Sequence, residues 1–255
     1  MYCKLNFKIM KRKYLVTLSL FGLFFFTSFM PNFEKNNAVV VLELFTSQGC
    51  SSCPSADTLL EKVGNEYKAE NVFTLSYHVD YWDYIGWKDP FSQQQFTQKQ
   101  RAYARKFKDN RIYTPAVVVN GKEHFVGSNR AKMYAKIKKY QQNKVNHTIS
   151  LGAIDQKSNS IKFSYTIDGD ISNAKARVVL AIQERITEVK RGENARRTLK
   201  NNNIVVTENY LTEVKNTGNY TIQIPEIVTK NDKLSVFLIL ENRRKDILGA
   251  GKKVL

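Results

Sequence analysis

"LFTSQGCSSCPSADTLLEKVG", Leu44 to Gly64, sets two cysteines three positions apart where an apolar run gives way to helical spacing. Upstream, "AVVVLELFTS" (Ala38–Ser47) is β-branched and almost uniformly apolar, the composition of a strand covered on both faces. Downstream, Leu59, Leu60, Val63 and Tyr67 recur at three- and four-residue intervals, marking one face of a helix. Pro54 suits the first turn of that helix, where backbone N–H groups have no partner to lose. "NVFTLSYHVDY" (Asn71–Tyr81) reads as a second strand. Strand, helix, strand predicts a parallel pair joined by a right-handed crossover.

Beyond Tyr81, "WDYIGWKDPFS" is too irregular for either element, and Ser92 is expected to cap a helix on which Phe96, Tyr103 and Phe107 share a face. "RIYTPAVVVNGKEHFVG" reads as a hairpin, since Asn120-Gly121 favours a tight type I′ turn. A helix with Met133, Ile137 and Tyr140 inward follows. After Val145 the pattern changes to seven apolar or alternating runs split by Asn, Gly, Asp and Ser, the grammar of an antiparallel sandwich. The expected organisation is therefore an α/β domain over residues 38–145 and an all-β, sandwich-like domain over residues 146–255.

The chain carries 40 Lys and Arg against 23 Asp and Glu, a net charge of +17. Five of those cations (Lys4, Lys8, Lys11, Arg12, Lys13) precede "YLVTLSLFGLFFFTSF", an uncharged run shorter than the ~20 residues of a spanning helix. Basic residues followed by such a run are the recipe for a secretory signal. Residues 1–37 are thus read as a signal or anchor segment and linker, and the protein as exported to the periplasm or cell envelope. Cleavage and amino-terminal anchoring both remain open, and membrane contact is expected only through this segment. The remaining basic residues are scattered among acids, which argues against a nucleic-acid partner.

Outside the cytosol a cysteine pair can persist as a disulfide. Cys3 lies before the apolar run, so Cys50 and Cys53 form a pair complete in itself. A strand feeding a helix through Cys-x-x-Cys puts Cys50 at or just before the helix start, where N–H groups and the helix dipole stabilise a thiolate. Such a sulfur is both nucleophile and leaving group in disulfide exchange. Structural zinc needs four ligands, and no second pair exists. Cu(I) needs only the two thiolates, and a purely structural disulfide is a third reading. No phosphate-binding loop, His-Glu-x-x-His or Gly-x-Ser-x-Gly points to another enzyme class, and no organic cofactor or metal is called for.

The stretches "ELFTSQGCSSCPSAD", "HVDYWDYIGWKDPFS", "QRAYA", "YTPAVVVNG" and "RGENARRTL" carry a resemblance to the thioredoxin superfamily, and within it to a family of exported bacterial thioredoxin-like proteins catalogued as a domain of unknown function. The resemblance spans Glu43 to Leu199. It implies a thioredoxin-like α/β domain, Cys50 as attacking thiol, Cys53 as resolving thiol and Pro115 as a cis-proline, with the backbone near Thr114 offering hydrogen bonds to a substrate. It also implies a buried acid that takes the proton of the resolving thiol, a role for which Glu43 is the candidate. Two departures stand out: Gly49 replaces the usual Trp before the first Cys, and the segment around "WDYIGWKDPFS" is extra.

That segment leaves the carboxyl end of the second strand, the edge where open α/β sheets hold ligands. Asp80, Trp82, Asp83 and Trp87 are therefore expected to line or roof the site, with a packed aromatic loop as the alternative. His78 reads first as a satisfied strand histidine. "RGENARR", with Glu193, Asn194 and Arg197, is expected to dock the β region onto the cysteine edge. The preferred reading is an exported thiol–disulfide oxidoreductase acting on a protein or small-molecule thiol or disulfide, with a redox partner protein. The alternative is a non-catalytic envelope binding protein whose pair is a structural disulfide or a Cu(I) site.

Overall fold

Burial on both faces, read from the apolar run before Cys50, holds for all seven residues of β1 (Val40–Thr46). The structure, a computed structural model, describes residues 38–255; the basic leader read over residues 1–37 lies outside the described residues. Helix α1 (Cys53–Glu66) follows β1 and returns the chain to β2 (Val72–His78), which pairs with β1 in parallel register, Val40 opposite Val72 through Thr46 opposite His78. Helix α2 (Gln94–Phe107), the hairpin of β3 (Ala116–Val119) and β4 (Glu123–Val126), and helix α3 (Arg130–Gln141) come next. β3 runs antiparallel to β1. Asn120 and Gly121 both take positive φ, 48° and 65°, as a type I′ turn requires. A Cβ at Gly121 would stand 1.8 Å from the Lys245 carbonyl oxygen, so no side chain fits there.

Seven strands occupy the remainder, where seven were expected: β5 (Thr148–Gln156), β6 (Ser160–Asp168), β7 (Ala174–Val189), β8 (Arg197–Tyr210), β9 (Thr217–Gln223), β10 (Leu234–Asn242) and β11 (Ile247–Val254). Their pairing departs from a separate second domain. Four of them extend the first sheet into one of eight strands, β11-β10-β7-β8-β2-β1-β3-β4, and only β5-β6-β9 form a second sheet. The division expected at residue 145 therefore runs through a continuous sheet, and the described residues make one compact unit. The junction is β8 lying parallel to β2 through Ser76 and Ile204, reinforced by the Ser76 hydroxyl donating to the Asn202 carbonyl at 2.9 Å. Sequence periodicity reports which residues face inward but not which strand a given edge will meet.

The alternation of side chains assigns each face its cover. On one face Val40, Leu42 and Leu44 pack under α1 and α3 with Leu60, Val63, Met133 and Ile137. Further along the same face, Val178, Leu180, Val236 and Leu238 meet Ile161, Phe163 and Ile222 of the three-stranded sheet. The other face carries Val41, Phe45, Leu75, Tyr77, Val179 and Phe237 and is covered by α2 through Phe96 and Tyr103. Full burial of each such side chain contributes about 1.5–3 kcal/mol, so both halves of the sheet are held by the same kind of core. Gln93, not Ser92, is the N-cap of α2; Ser92 Oγ instead donates to Asp83 at 2.6 Å.

Within the α2 face lies a buried ionic cluster. Arg177 on β7 is wholly buried and ion-paired with Glu43 of β1 at 3.0 Å, Glu208 of β8 at 2.6 Å and Glu241 of β10 at 3.1 Å. Lys99 of α2 adds contacts to Glu43 at 3.0 Å and Glu208 at 2.7 Å. The Tyr103 hydroxyl donates to Glu43 at 2.6 Å, and that of Tyr77 to Glu208 at 2.6 Å. Burial alone would raise the Glu43 carboxyl, but Arg177 and Lys99 outweigh it and hold it below its ordinary range. Removing the guanidinium leaves three buried carboxylates short of cations, with Lys99 alone to serve Glu43 and Glu208 and only Lys245 at 4.0 Å beside Glu241. We expect Arg177→Met to cost about 3–5 kcal/mol, read as a fall in the urea midpoint; a loss under about 1 kcal/mol would show that the cluster does not hold the two halves together.

Candidate functional site

Cys50 and Cys53 are joined in a disulfide at the amino end of α1, with Cα atoms 5.4 Å apart. Cys53 is the first helical residue and Cys50 lies three positions earlier, so the pair sits about one turn further out than the sequence predicts. Chain reversal comes from Cys50 N–H donating to Ser47 O and Cys53 N–H to Cys50 O, both at 3.2 Å. Ser51 and Ser52 are exposed, but Cys50 is 1 % exposed and Cys53 is 0 % exposed. The disulfide is therefore enclosed, and what encloses it defines the site.

Three segments close around the Cys50 loop. The first is the extra segment after β2. A Cβ at Gly49 would lie 3.1 Å from the Cβ of Trp82, so a larger residue there would require Trp82 to give way by a few tenths of an ångström. The second precedes β3. Thr114-Pro115 is a cis peptide, and the Thr114 hydroxyl accepts from Trp82 Nε1 at 2.7 Å. Pro115, Ala56 of α1 and Leu44 of β1 converge on one point beside Gly127, which puts the proline against the first turns of α1.

The third segment is the tip of the β7–β8 hairpin, residues 190–196. The Asn194 amide, fully buried, donates to the carbonyls of Gln48 and Cys50, each at 2.9 Å. Arg197 Nη1 donates to Asn194 Oδ1 at 2.7 Å and fixes that orientation. The Glu193 carboxylate accepts from the Ser51 N–H at 2.9 Å, and its hydrogen bonds from Ser51 hold it below its ordinary pKa. The docking expected of "RGENARR" is thus present, with Glu193 and Asn194 touching the cysteine loop and Arg197 acting through Asn194.

Beneath the loop is a buried polar group. His78 at the end of β2 pairs through Nδ1 with Asp89 at 2.7 Å, both side chains wholly buried. Asp89 also accepts from the Gln48 N–H at 2.8 Å and the Phe91 N–H at 3.0 Å. Gln48 is held in turn by Trp87 Nε1 at 3.3 Å and by Asn201 at 3.1 Å. Burial disfavours the imidazolium, yet Asp89 and then Asp57 overcome it and raise His78 above its ordinary value. Asp89 would be raised by burial but is held low by His78 and by the backbone donors. Each partner thus favours the charged form of the other.

Asp57, four residues after Cys53 on the inward face of α1, accepts from Thr46 Oγ1 at 3.0 Å. Burial pushes its carboxyl up to about 6 against the pull of His78. Asp57 Oδ1 and His78 Nε2 have no hydrogen-bond partner among the described residues. Residues four apart on a helix stand ~5–6 Å from each other, so Asp57 is the carboxylate nearest in the helix to the Cys53 sulfur.

The site residues read from the sequence divide accordingly. Cys50, Cys53, Thr114, Pro115, Trp82 and Trp87 come together. Asp80 does not; it accepts from Thr97 Oγ1 at 2.5 Å and anchors the first turn of α2. Asp83 braces its own loop, accepting from Ser92 Oγ and, at 3.2 Å, from the Asp89 N–H. Glu43 is a correction. It is buried, but it points into the α2 face and is tied to Arg177 and Lys99, whereas Cys53 sits with α1 on the opposite face. Strand alternation decides the matter, because Leu42 and Leu44 face α1 and Glu43 between them cannot. Asp57 was legible as a lone carboxylate on the apolar stripe of α1; Asp89, Gln48 and Asn201 left no comparable signal.

Fold and site together define a mixed α/β protein with an enclosed Cys-x-x-Cys disulfide at a helix start. The chain belongs to the family described as Protein of unknown function (DUF1223), whose model matches residues 41–240. It is similar to the crystal structure of protein AGR_C_4864 from Agrobacterium tumefaciens, with 30% identity and a TM-score of 0.61 over 84% of this chain and 94% of that one. A β-glucosidase from Kluyveromyces marxianus also matches, at 12% identity and a TM-score of 0.22 over 45% of this chain and 14% of that one, a likeness too low to carry an argument. No curated protein matches significantly.

Asp57 gives the site a measurable pH signature. Its carboxyl titrates near 6 when folded and near 3.8 otherwise, so the native state holds the extra proton between those values. Stability from this group is present at low pH and is lost as pH rises through that window, on the order of 3 kcal/mol in all. His78, raised above 6.5, acts in the same direction at higher pH. We expect Asp57→Asn to be more stable relative to wild type at pH 7 than at pH 4 in urea unfolding of the oxidised protein. Parallel profiles for the two proteins would remove Asp57 from this account.

Proposed function

We propose that this protein is an exported thiol–disulfide oxidoreductase with a thioredoxin-like α/β core, in which Cys50 and Cys53 exchange two electrons with a substrate dithiol or disulfide. The observation that carries the reading is a Cys-x-x-Cys disulfide at the start of a helix, packed beside a cis-proline that begins the adjacent strand. The order strand, helix, parallel strand, helix, antiparallel hairpin and helix supports the thioredoxin-like core. Export rests on the basic, apolar leader alone.

In the reducing direction the Cys50 thiolate attacks a substrate disulfide, forming a Cys50–substrate disulfide and releasing one substrate thiolate. Cys53 passes its proton to the Asp57 carboxylate and attacks Cys50 Sγ. The Cys50–Cys53 bond closes, the second substrate thiolate leaves, and both released thiolates take up protons. The reverse sequence oxidises a substrate dithiol. A carboxyl titrating near 6 is ionised enough at neutral pH to accept a proton and basic enough to hold it. His78, whose imidazolium form Asp89 favours, lowers the Asp57 carboxyl when protonated and so opposes the effect of burial on it.

Enclosure of both sulfurs means that exchange requires the hairpin tip to lift from the Cys50 loop. In full-length protein with Cys3→Ser, the Cys50 thiol of the reduced form is expected to alkylate with an apparent pKa below the free-thiol value of about 8.5. A value at or above 8.5 with slow reaction would instead favour a structural disulfide, the reading that burial of both sulfurs otherwise supports. Asn194→Ala removes both bonds from the hairpin to the loop carbonyls. We expect it to speed reduction of the disulfide by dithiothreitol roughly tenfold, about 1.4 kcal/mol of opening, at unchanged far-ultraviolet circular dichroism. An unchanged rate would mean that the hairpin is no barrier.

A further inference from the structure

On the far side of α1 from the disulfide, a cleft of about 520 Å³ opens between the carboxyl end of that helix, β2, β8 and the β10–β11 edge. At ~1.5 Å per residue it lies some 15–20 Å along the helix from Cys53. Its volume falls in the range of small-molecule sites, ~300–1,000 Å³. Its chemistry is distinct from that of the disulfide site.

Three lysines, Lys68, Lys233 and Lys252, line the cleft, and none has a carboxylate within ion-pair reach among the described residues. Its two acids, Glu61 and Glu184, are both occupied by Lys200, at 2.7 Å and 2.8 Å. Burial, and then the neighbouring Lys68 charge, hold the Lys252 ammonium below its ordinary range. Like charges facing one another across a partly desolvated cleft are unfavourable until an anion joins them. The amides supply the rest. Asn202 Nδ2 is buried at the cleft and donates to no acceptor among the described residues. Asn203 Nδ2 is spent on Thr74 Oγ1 at 2.8 Å and Gln183 Nε2 on the Leu234 carbonyl at 2.9 Å, which leaves their oxygens to accept. Val254, 58 % exposed, provides an apolar rim.

We propose that this cleft binds an acidic saccharide of one or two residues, with the acid group on the Lys68–Lys252 pair, hydroxyls on the amide oxygens and a ring face against Val254. Excess cationic donors select an oxyanion, and free amide acceptors select a ligand that also carries O–H groups. Carboxylate and phosphate share this chemistry, and the binding test separates them.

The experiment is isothermal titration of full-length protein with digalacturonate, galactose 1-phosphate, galactose and acetate. We expect saturable binding of digalacturonate or galactose 1-phosphate, the one that binds naming the acid group, and none of galactose or acetate at the same concentration. Lys68→Gln with Lys252→Gln, neither of them ion-paired among the described residues although Lys252 Nζ lies 5.3 Å from the Phe237 ring centroid, should weaken that binding at least tenfold while leaving the rate of disulfide reduction unchanged. Failure of both acidic sugars to bind, equal binding of acetate, or an affinity untouched by the double substitution would overturn the proposal. None of these outcomes depends on whether Cys50 is reactive.

Discussion

Arg177 is the residue on which the rest of the architecture turns. It is fully buried, it comes from the second half of the chain, and its guanidinium reaches carboxylates on β1, β8 and β10. A planar cation with five donors suits such a meeting point better than lysine would. Direct pairing between β2 and β8 is short, so the ionic cluster and the apolar faces around it do much of the joining. The cost of burying these charges is high, and the arrangement is tolerable only because each carboxylate meets cations and hydrogen-bond donors together.

With the halves fused, the long β7–β8 hairpin projects past the shorter β2 and its tip arrives at the Cys50 loop. The cysteines, the cis-proline and Trp82 belong to the first half; Glu193, Asn194 and Asn201 belong to the second. Gly49 shows how closely these are fitted, since Trp82 Cβ lies 3.1 Å from where a Cβ there would stand. Under this layer the His78–Asp89 pair holds Gln48 in place and biases Asp57, so the electrostatics of the buried floor reach the helix that carries Cys53.

Much of this was legible in the chain. Each α-helix and strand after Ala38 was foreseen, because helical and alternating periodicities are strong in runs such as "TLLEKV" and "SIKFSYTI", whereas the single 3-10 turn at Asp83–Ile85 was not. The site was legible where identity carries meaning: paired cysteines, Thr114-Pro115, the tryptophans. What was hidden depended on which faces meet. A carboxylate on an apolar strand looks the same whichever way it points, so Glu43 was assigned to the disulfide when alternation turns it toward Arg177. Similarly, an edge strand does not announce its neighbour, and a continuous sheet read as two domains.

The contacts that enclose the disulfide join residues 142 to 146 positions apart. A chain made from its amino end therefore completes β1 and α1 long before the hairpin that covers them exists. Throughout that interval the Cys50 loop lacks the cover of Glu193 and Asn194 and is more open to oxidants and thiols nearby. Once the hairpin has closed, any further change in the state of the pair has to break those same long-range contacts first.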